Sequence, residues 1–179
     1  MAGIIQNRRH GRPGVAVGIA AILTLALASA SAAAPGQADL ARVRAATAPY
    51  HDLATAQAAG YGAFYICTAE PGAGTMGQHF VNLAVLLDTT LDASQPEALV
   101  YEPRQDGGYR LVAVEYLVFA EAWDAEHSAL PELLGHQFAL VPSPNRYGLP
   151  PFYELHAWIW QPNPSGMFYE WNPRVSCDA

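Results

Sequence analysis

Two β-rich runs, Ala98–Pro103 and 109–119, are separated by Gln105-Asp106-Gly107-Gly108, and Asp-Gly between such runs is a strong hairpin signal. A chain that pairs these runs builds an antiparallel sheet, and the rest must be fitted to it. The aromatic-rich run 152–160 reads as a further strand. Before the hairpin, Leu40, Val43, Ala46, Tyr50, Leu53 and Ala54 recur at helical spacing, with Pro49 as a break and Gly60 as a stop. Helix first and strands afterwards predict an α+β domain, an N-terminal helical segment packed on a curved antiparallel β-sheet. Residues 70–77 read as a Gly-rich loop, 80–87 fit either helix or strand, and 163–177 carry the turn signals of irregular coil.

The N-terminus constrains the compartment. Arg8, Arg9 and Arg12 precede an apolar run at 15–27, and Ala28-Ser29-Ala30-Ser31-Ala32 follows, the layout of a cleaved export signal. Cleavage after Ala32 divides the chain into a signal peptide, 1–32, and a single domain, 33–179. The apolar run is shorter than the roughly 20 residues of a spanning helix, so no stable membrane span is expected after cleavage. The expected location is secreted or otherwise extracytoplasmic. In that setting Cys67 and Cys177, the only cysteines, are expected to pair, since neither belongs to a C-x-x-C motif.

Every basic residue is Arg, and three of the nine fall in the signal. Six basic against 16 acidic residues leave the mature chain at a formal −10. Such a balance repels polyanions, which excludes nucleic acid as a natural partner and favours metal cations or small molecules.

Three ionisable residues stand out. His79 follows the Gly-rich loop, Glu115 sits inside the strand 111–118, and His156 sits inside 153–160. Ionisable groups in apolar strands are expensive to bury without partners. Two imidazoles and a carboxylate suit Zn²⁺, Fe²⁺, Mn²⁺ or Cu²⁺, a divalent transition metal with positions left for water or substrate. Side chains two apart on a strand share a face, so His156 lies with Glu154, Trp158 and Trp160. A two-residue turn at Asp106-Gly107 would set Glu102 opposite Leu111, on the side of Glu115, as a candidate fourth ligand. A three-residue turn would flip it.

The same residues carry blander readings: Glu115 with His156 as a buried polar pair, or both on a solvated face. The alternative function is a non-enzymatic binding module whose aromatic pocket, with Tyr153, Trp158 and Trp160, takes a small apolar or carbohydrate ligand. Gly72-Ala73-Gly74-Thr75-Met76-Gly77 matches G-x-G-x-x-G with Asp92 downstream. That match has meaning only within a strand–turn–helix unit, and no dinucleotide is expected. There is no G-x-S-x-G elbow for a serine nucleophile. His51, His127 and His136 have no patterned partner and read as surface residues.

Several runs carry a resemblance: Met76-Gly77-Gln78-His79-Phe80-Val81-Asn82, Pro96-Glu97-Ala98-Leu99-Val100-Tyr101-Glu102, Leu111-Val112-Ala113-Val114-Glu115-Tyr116 and Leu155-His156-Ala157-Trp158-Ile159-Trp160. Asn163-Pro164-Ser165-Gly166-Met167-Phe168 and Trp171-Asn172-Pro173 through Cys177 complete the set. Together they resemble an uncharacterised family of small exported bacterial proteins across most of the mature chain. The resemblance implies export and imports no activity. In that family extra histidines often precede the Leu-His-x-Trp strand, where this chain has Arg146, Tyr147 and Phe152.

Overall fold

In the computed structural model, which describes residues 1–3 and 36–178, the alanine-rich segment forms α1 (Gln37–Thr47), a 3-10 turn (Ala48–His51) and α2 (Leu53–Ala58). Pro49 sits at the start of the 3-10 turn, where its missing N–H leaves no internal bond unmade. Asp52 caps α2 by accepting the Ala54 N–H at 3.0 Å. The signal peptide expected over 1–32 lies, apart from its first three residues, outside the described residues. No helix among the described residues is long and apolar enough to cross a membrane.

After Gly60 the chain forms β1 (Gly62–Glu70) and β2 (Gly74–Val81), a short α3 (Leu83–Leu86), β3 (Ala98–Pro103) and β4 (Tyr109–Phe119). Then come α4 (Ala120–Glu126), a small hairpin of β5 (Glu132–Leu133) and β6 (His136–Gln137), β7 (Ala139–Val141) and β8 (Phe152–Ala157). Six strands form one antiparallel sheet in the order β1-β2-β3-β4-β8-β7, curled into a half-barrel. The predicted α+β architecture is what forms. The ambiguous 80–87 stretch divides into the end of β2 and α3.

The Gly-rich segment departs from expectation. It is not a loop over 70–77 but a tight turn leading into β2, and its glycines serve close packing. A Cβ on Gly74 would lie 2.5 Å from the Asn172 carbonyl carbon, and one on Gly77 2.7 Å from the Tyr101 carbonyl oxygen. Both glycines also have left-handed φ angles, +128° and +113°. The fingerprint thus lies across a β-hairpin, not at the start of a helix.

The β3–β4 connection is a three-residue turn. Arg104 N–H donates to the Gly108 carbonyl at 2.9 Å and Gly107 adopts φ +78°. Glu102 therefore pairs with Arg110 and not with Leu111. Farther along, Val100 pairs with Ala113 while Tyr101 pairs with Leu111, leaving Val112 as the extra residue of a bulge. Val112 and Ala113 both pack against Val100, Trp158 and Val175. The freed Val112 carbonyl accepts the Trp160 and Gln161 N–H groups. This ends the last strand at Ala157, short of the expected 160.

One sheet face carries the main core: Phe80, Leu99, Val114, Tyr116, Val118 and Leu155 meet Leu40, Val43 and Ala56 of the helices. Buried tyrosine hydroxyls there find backbone acceptors, with Tyr101 donating to the Tyr50 carbonyl at 2.6 Å and Tyr116 to that of Ala93 at 2.8 Å. The coil after β8 packs Ile159, Trp160, Met167 and Phe168 against that core and Val175 against Val100 and Ala113 on the other face. It is held by the predicted Cys67–Cys177 disulfide, by a bridge between Thr75 and Asn172, and by Trp158, whose indole N–H donates to the Tyr169 carbonyl.

Candidate metal centre

Strand alternation places the three singled-out residues on the face opposite the helices. Glu115 of β4 stands directly across from His156 of β8 on one side and Ala98 of β3 on the other. His79 of β2 pairs with Val100 of the same β3. Only the short side chains of Ala98 and Val100 intervene, so the His79 ring reaches over β3 to the other two. One ligand-type atom from each of the three residues lies within 4.8 Å of the others.

The spacings are informative. His79 Nε2 is 3.3 Å from Glu115 Oε2 and 3.4 Å from His156 Nε2, and His156 Nδ1 is 3.5 Å from Glu115 Oε1. Charge-assisted N–H···O⁻ bonds close to about 2.7–2.9 Å. Donors bound at about 2.1 Å to a tetrahedral ion stand roughly 3.4 Å apart. His79 Nε2 therefore stands at coordination-edge distances from both Glu115 Oε2 and His156 Nε2, longer than the contacts of a tight hydrogen-bonded triad, and one ligand atom from each residue fits within 4.8 Å. All three residues are buried, at 5% exposure for His79, 4% for Glu115 and 2% for His156.

Burial sets the electrostatics. It pushes the His79 imidazole down to about 4, and pushes that of His156 well below the usual histidine range, with His79 adding to the effect. Both rings are then neutral at pH 7, the form that binds metals. Burial, followed by the neighbouring charge of Glu154, raises the Glu115 carboxyl far above the ordinary range. Glu154 is itself raised to about 7 by burial and by Glu170. A divalent cation would supply the positive charge that this group of carboxyls lacks.

A pocket of about 150 Å³ reaches the cluster at His79 and Glu115, with His156 behind them and outside its lining. His79, Glu115 and Glu154 are at its polar end, and its walls come from Phe64, Val81, Leu117, Phe119, Tyr147 and Phe152, with α3 and Leu149 completing it. Glu154 belongs to the site although the sequence reading gave it no role. It alternates with His156 on β8, so the parity argument applied to His156 reaches it equally. The Tyr147 and Leu149 wall had no signal, because it comes from an irregular segment whose position depends on the finished sheet.

Two expectations are corrected. Glu102 does share the Glu115 face, because Ala98, Val100 and Glu102 alternate along β3 and the bulge at Val112 offsets the three-residue turn. It is nevertheless four residues beyond Ala98, roughly 13 Å along the strand. There its carboxylate accepts hydrogen bonds from the Arg110 guanidinium and the Ser176 N–H, so it is a tether for the C-terminal coil and not a fourth ligand. Nor do Tyr153, Trp158 and Trp160 form a pocket together. Tyr153 lies in the helix-side core with its hydroxyl on Asp124, Trp158 is packed beneath the C-terminal coil, and Trp160 donates to Thr47. The strand alternation that was extended to residue 160 stops at Ala157.

His51, His127 and His136 are exposed, as expected, and each lies against an aromatic ring: Trp160, Trp123 and Phe168. No family model, curated protein or solved structure matches this chain.

Proposed function

We propose that this is an exported protein that binds a divalent transition metal through His79, Glu115 and His156, with Glu154 beside the ion and the apolar pocket leading to it. The observation that carries this reading is the convergence of three buried donors from three strands within 4.8 Å, with His79 Nε2 3.3 Å from Glu115 and 3.4 Å from His156. Two imidazoles and one carboxylate form the donor set of open Zn²⁺ sites and of non-haem Fe²⁺ centres. The disulfide supports an oxidising, extracytoplasmic setting. Three of the six motif runs that resemble the exported bacterial family, 76–82, 111–116 and 155–160, contribute one member of the trio each, which supports treating those three as the segments that carry the site.

Elemental analysis of the exported, disulfide-closed protein tests the reading, beside His79→Ala/His156→Ala and with circular dichroism to confirm folding. The expected result is close to one metal per chain in the parent and none in the folded variant. A parent that stays metal-free after exposure to Zn²⁺, Fe²⁺, Mn²⁺ and Cu²⁺ overturns it.

A further inference from the structure

Resting on the metal reading, we infer that the pocket above the His79–Glu115–His156 centre takes an uncharged, apolar molecule about the size of one six-membered ring. One oxygen function of that molecule would be directed at the metal.

Three features of the pocket carry the inference. The first is volume: about 150 Å³ is available, and an apolar cavity of about that size accommodates benzene. The second is the distribution of polarity. Among the lining residues His79, Glu115 and Glu154 cluster at one end, and the only other polar lining group, the Tyr147 hydroxyl, is directed to the Met76 sulfur at 3.4 Å. A sugar would bring several hydroxyls against Phe64, Leu117, Phe119 and Phe152, which offer no hydrogen bonds. The third is charge. No arginine lines the pocket, so an anionic head would find no cationic side chain there, and an ammonium head would compete with the metal for the two carboxyl groups. Two pocket-lining leucines, Leu83 of α3 and Leu87 just after it, are 62% and 66% exposed, an apolar approach for such a molecule.

The test uses the full exported protein loaded with Co²⁺, whose visible spectrum reports on the coordination shell. Benzyl alcohol and benzaldehyde are titrated against it, with benzoate, benzylamine and methyl glucoside as comparisons, and heats of binding are measured in parallel. The neutral ring compounds are expected to change the Co²⁺ spectrum and bind at least tenfold more tightly than the charged or sugar probes. Leu149→Trp and, independently, Leu83→Trp should weaken them at least tenfold with metal content unchanged. A metal-loaded protein that ignores the neutral rings, or prefers benzoate, benzylamine or the glucoside, overturns the ligand class and leaves the metal reading standing. A parent chain that takes up no Co²⁺ overturns the metal reading and this inference with it.

Discussion

Glu97 is a carboxyl buried to 1% exposure just before β3, and it yields a quantitative test of the fold's electrostatics. Its Oε2 accepts the Leu117 N–H at 3.0 Å, whereas Oε1 has no partner. Burial raises its pKa to about 8 despite the Leu117 bond, with Asp88 and Asp92 adding to the rise. The folded state thus holds this proton more tightly than the unfolded state, whose carboxyl titrates near 4.5. Between these values the folded chain binds more protons, so stability must fall as pH rises. The contribution is fully present below about pH 4.5 and lost by about pH 8. At about 1.4 kcal/mol per pH unit, the loss from this group is on the order of 4–5 kcal/mol. Glu97→Gln keeps a carbonyl for Leu117 and cannot ionise. Urea unfolding of the disulfide-closed protein from pH 4.5 to 9 should give nearly equal stabilities for parent and variant at the acid end. The variant should lead by several kcal/mol at pH 8. Stability curves that remain parallel across the range would refute the reasoning, because the parent's other titrating groups are present in both proteins.

Three other perturbations follow from the packing. Gly77→Ala places a methyl 2.7 Å from the Tyr101 carbonyl oxygen at φ +113°, and should lower unfolding free energy by roughly 3 kcal/mol or more; a loss under 1 kcal/mol in urea titration would contradict the packing described. Cys67→Ala/Cys177→Ala opens a loop spanning 110 residues, and should lower stability by up to about 4–5 kcal/mol, read as a fall in thermal midpoint; an unchanged midpoint would show that the crosslink leaves the unfolded chain unrestrained. Glu102→Ala should leave metal content unchanged while loosening the coil around Ser176, visible as faster amide exchange at residues 175–178. Loss of metal would return Glu102 to the ligand set.

The elements that local chemistry specifies were legible in the sequence. Pro49 and Gly60 divide and end the helical segment, and Asp106-Gly107 turns the hairpin. The trio was legible for the same reason, since an ionisable residue in the middle of an apolar strand stands out against its alternation. Register was not. Whether Glu102 shares a face with Glu115 depends on two opposing one-residue shifts, the turn and the bulge at Val112, and the second arises because the Val112 carbonyl binds Trp160 and Gln161 about 50 positions later. The end of β8 at Ala157 has the same long-range origin, which is why Trp160 left the face that alternation assigned it for the helix side, while Trp158 stayed stacked on His156.

The way the sheet holds the trio bears on how the centre can work. His79, Glu115 and His156 come from three strands, and each strand presents large apolar residues to the helix-side core on its opposite face. Their positions are therefore fixed by core packing and by the backbone ladder, not by a loop that could withdraw. His79 is pinned further by its neighbour: the Gln78 side chain donates to the carbonyls of Phe64, Tyr65 and His79, fixing β2 against the bulged stretch of β1, where Tyr65 has φ +57°. A rigid set of donors fixes both the distance and the direction of a bound ion's open positions. Of the pocket wall, α3 and the irregular stretch carrying Tyr147 and Leu149 are the parts that do not belong to the sheet. A metal held there would meet donors fixed by strands, whereas the pocket beside it is walled partly by those strands and partly by segments outside the sheet.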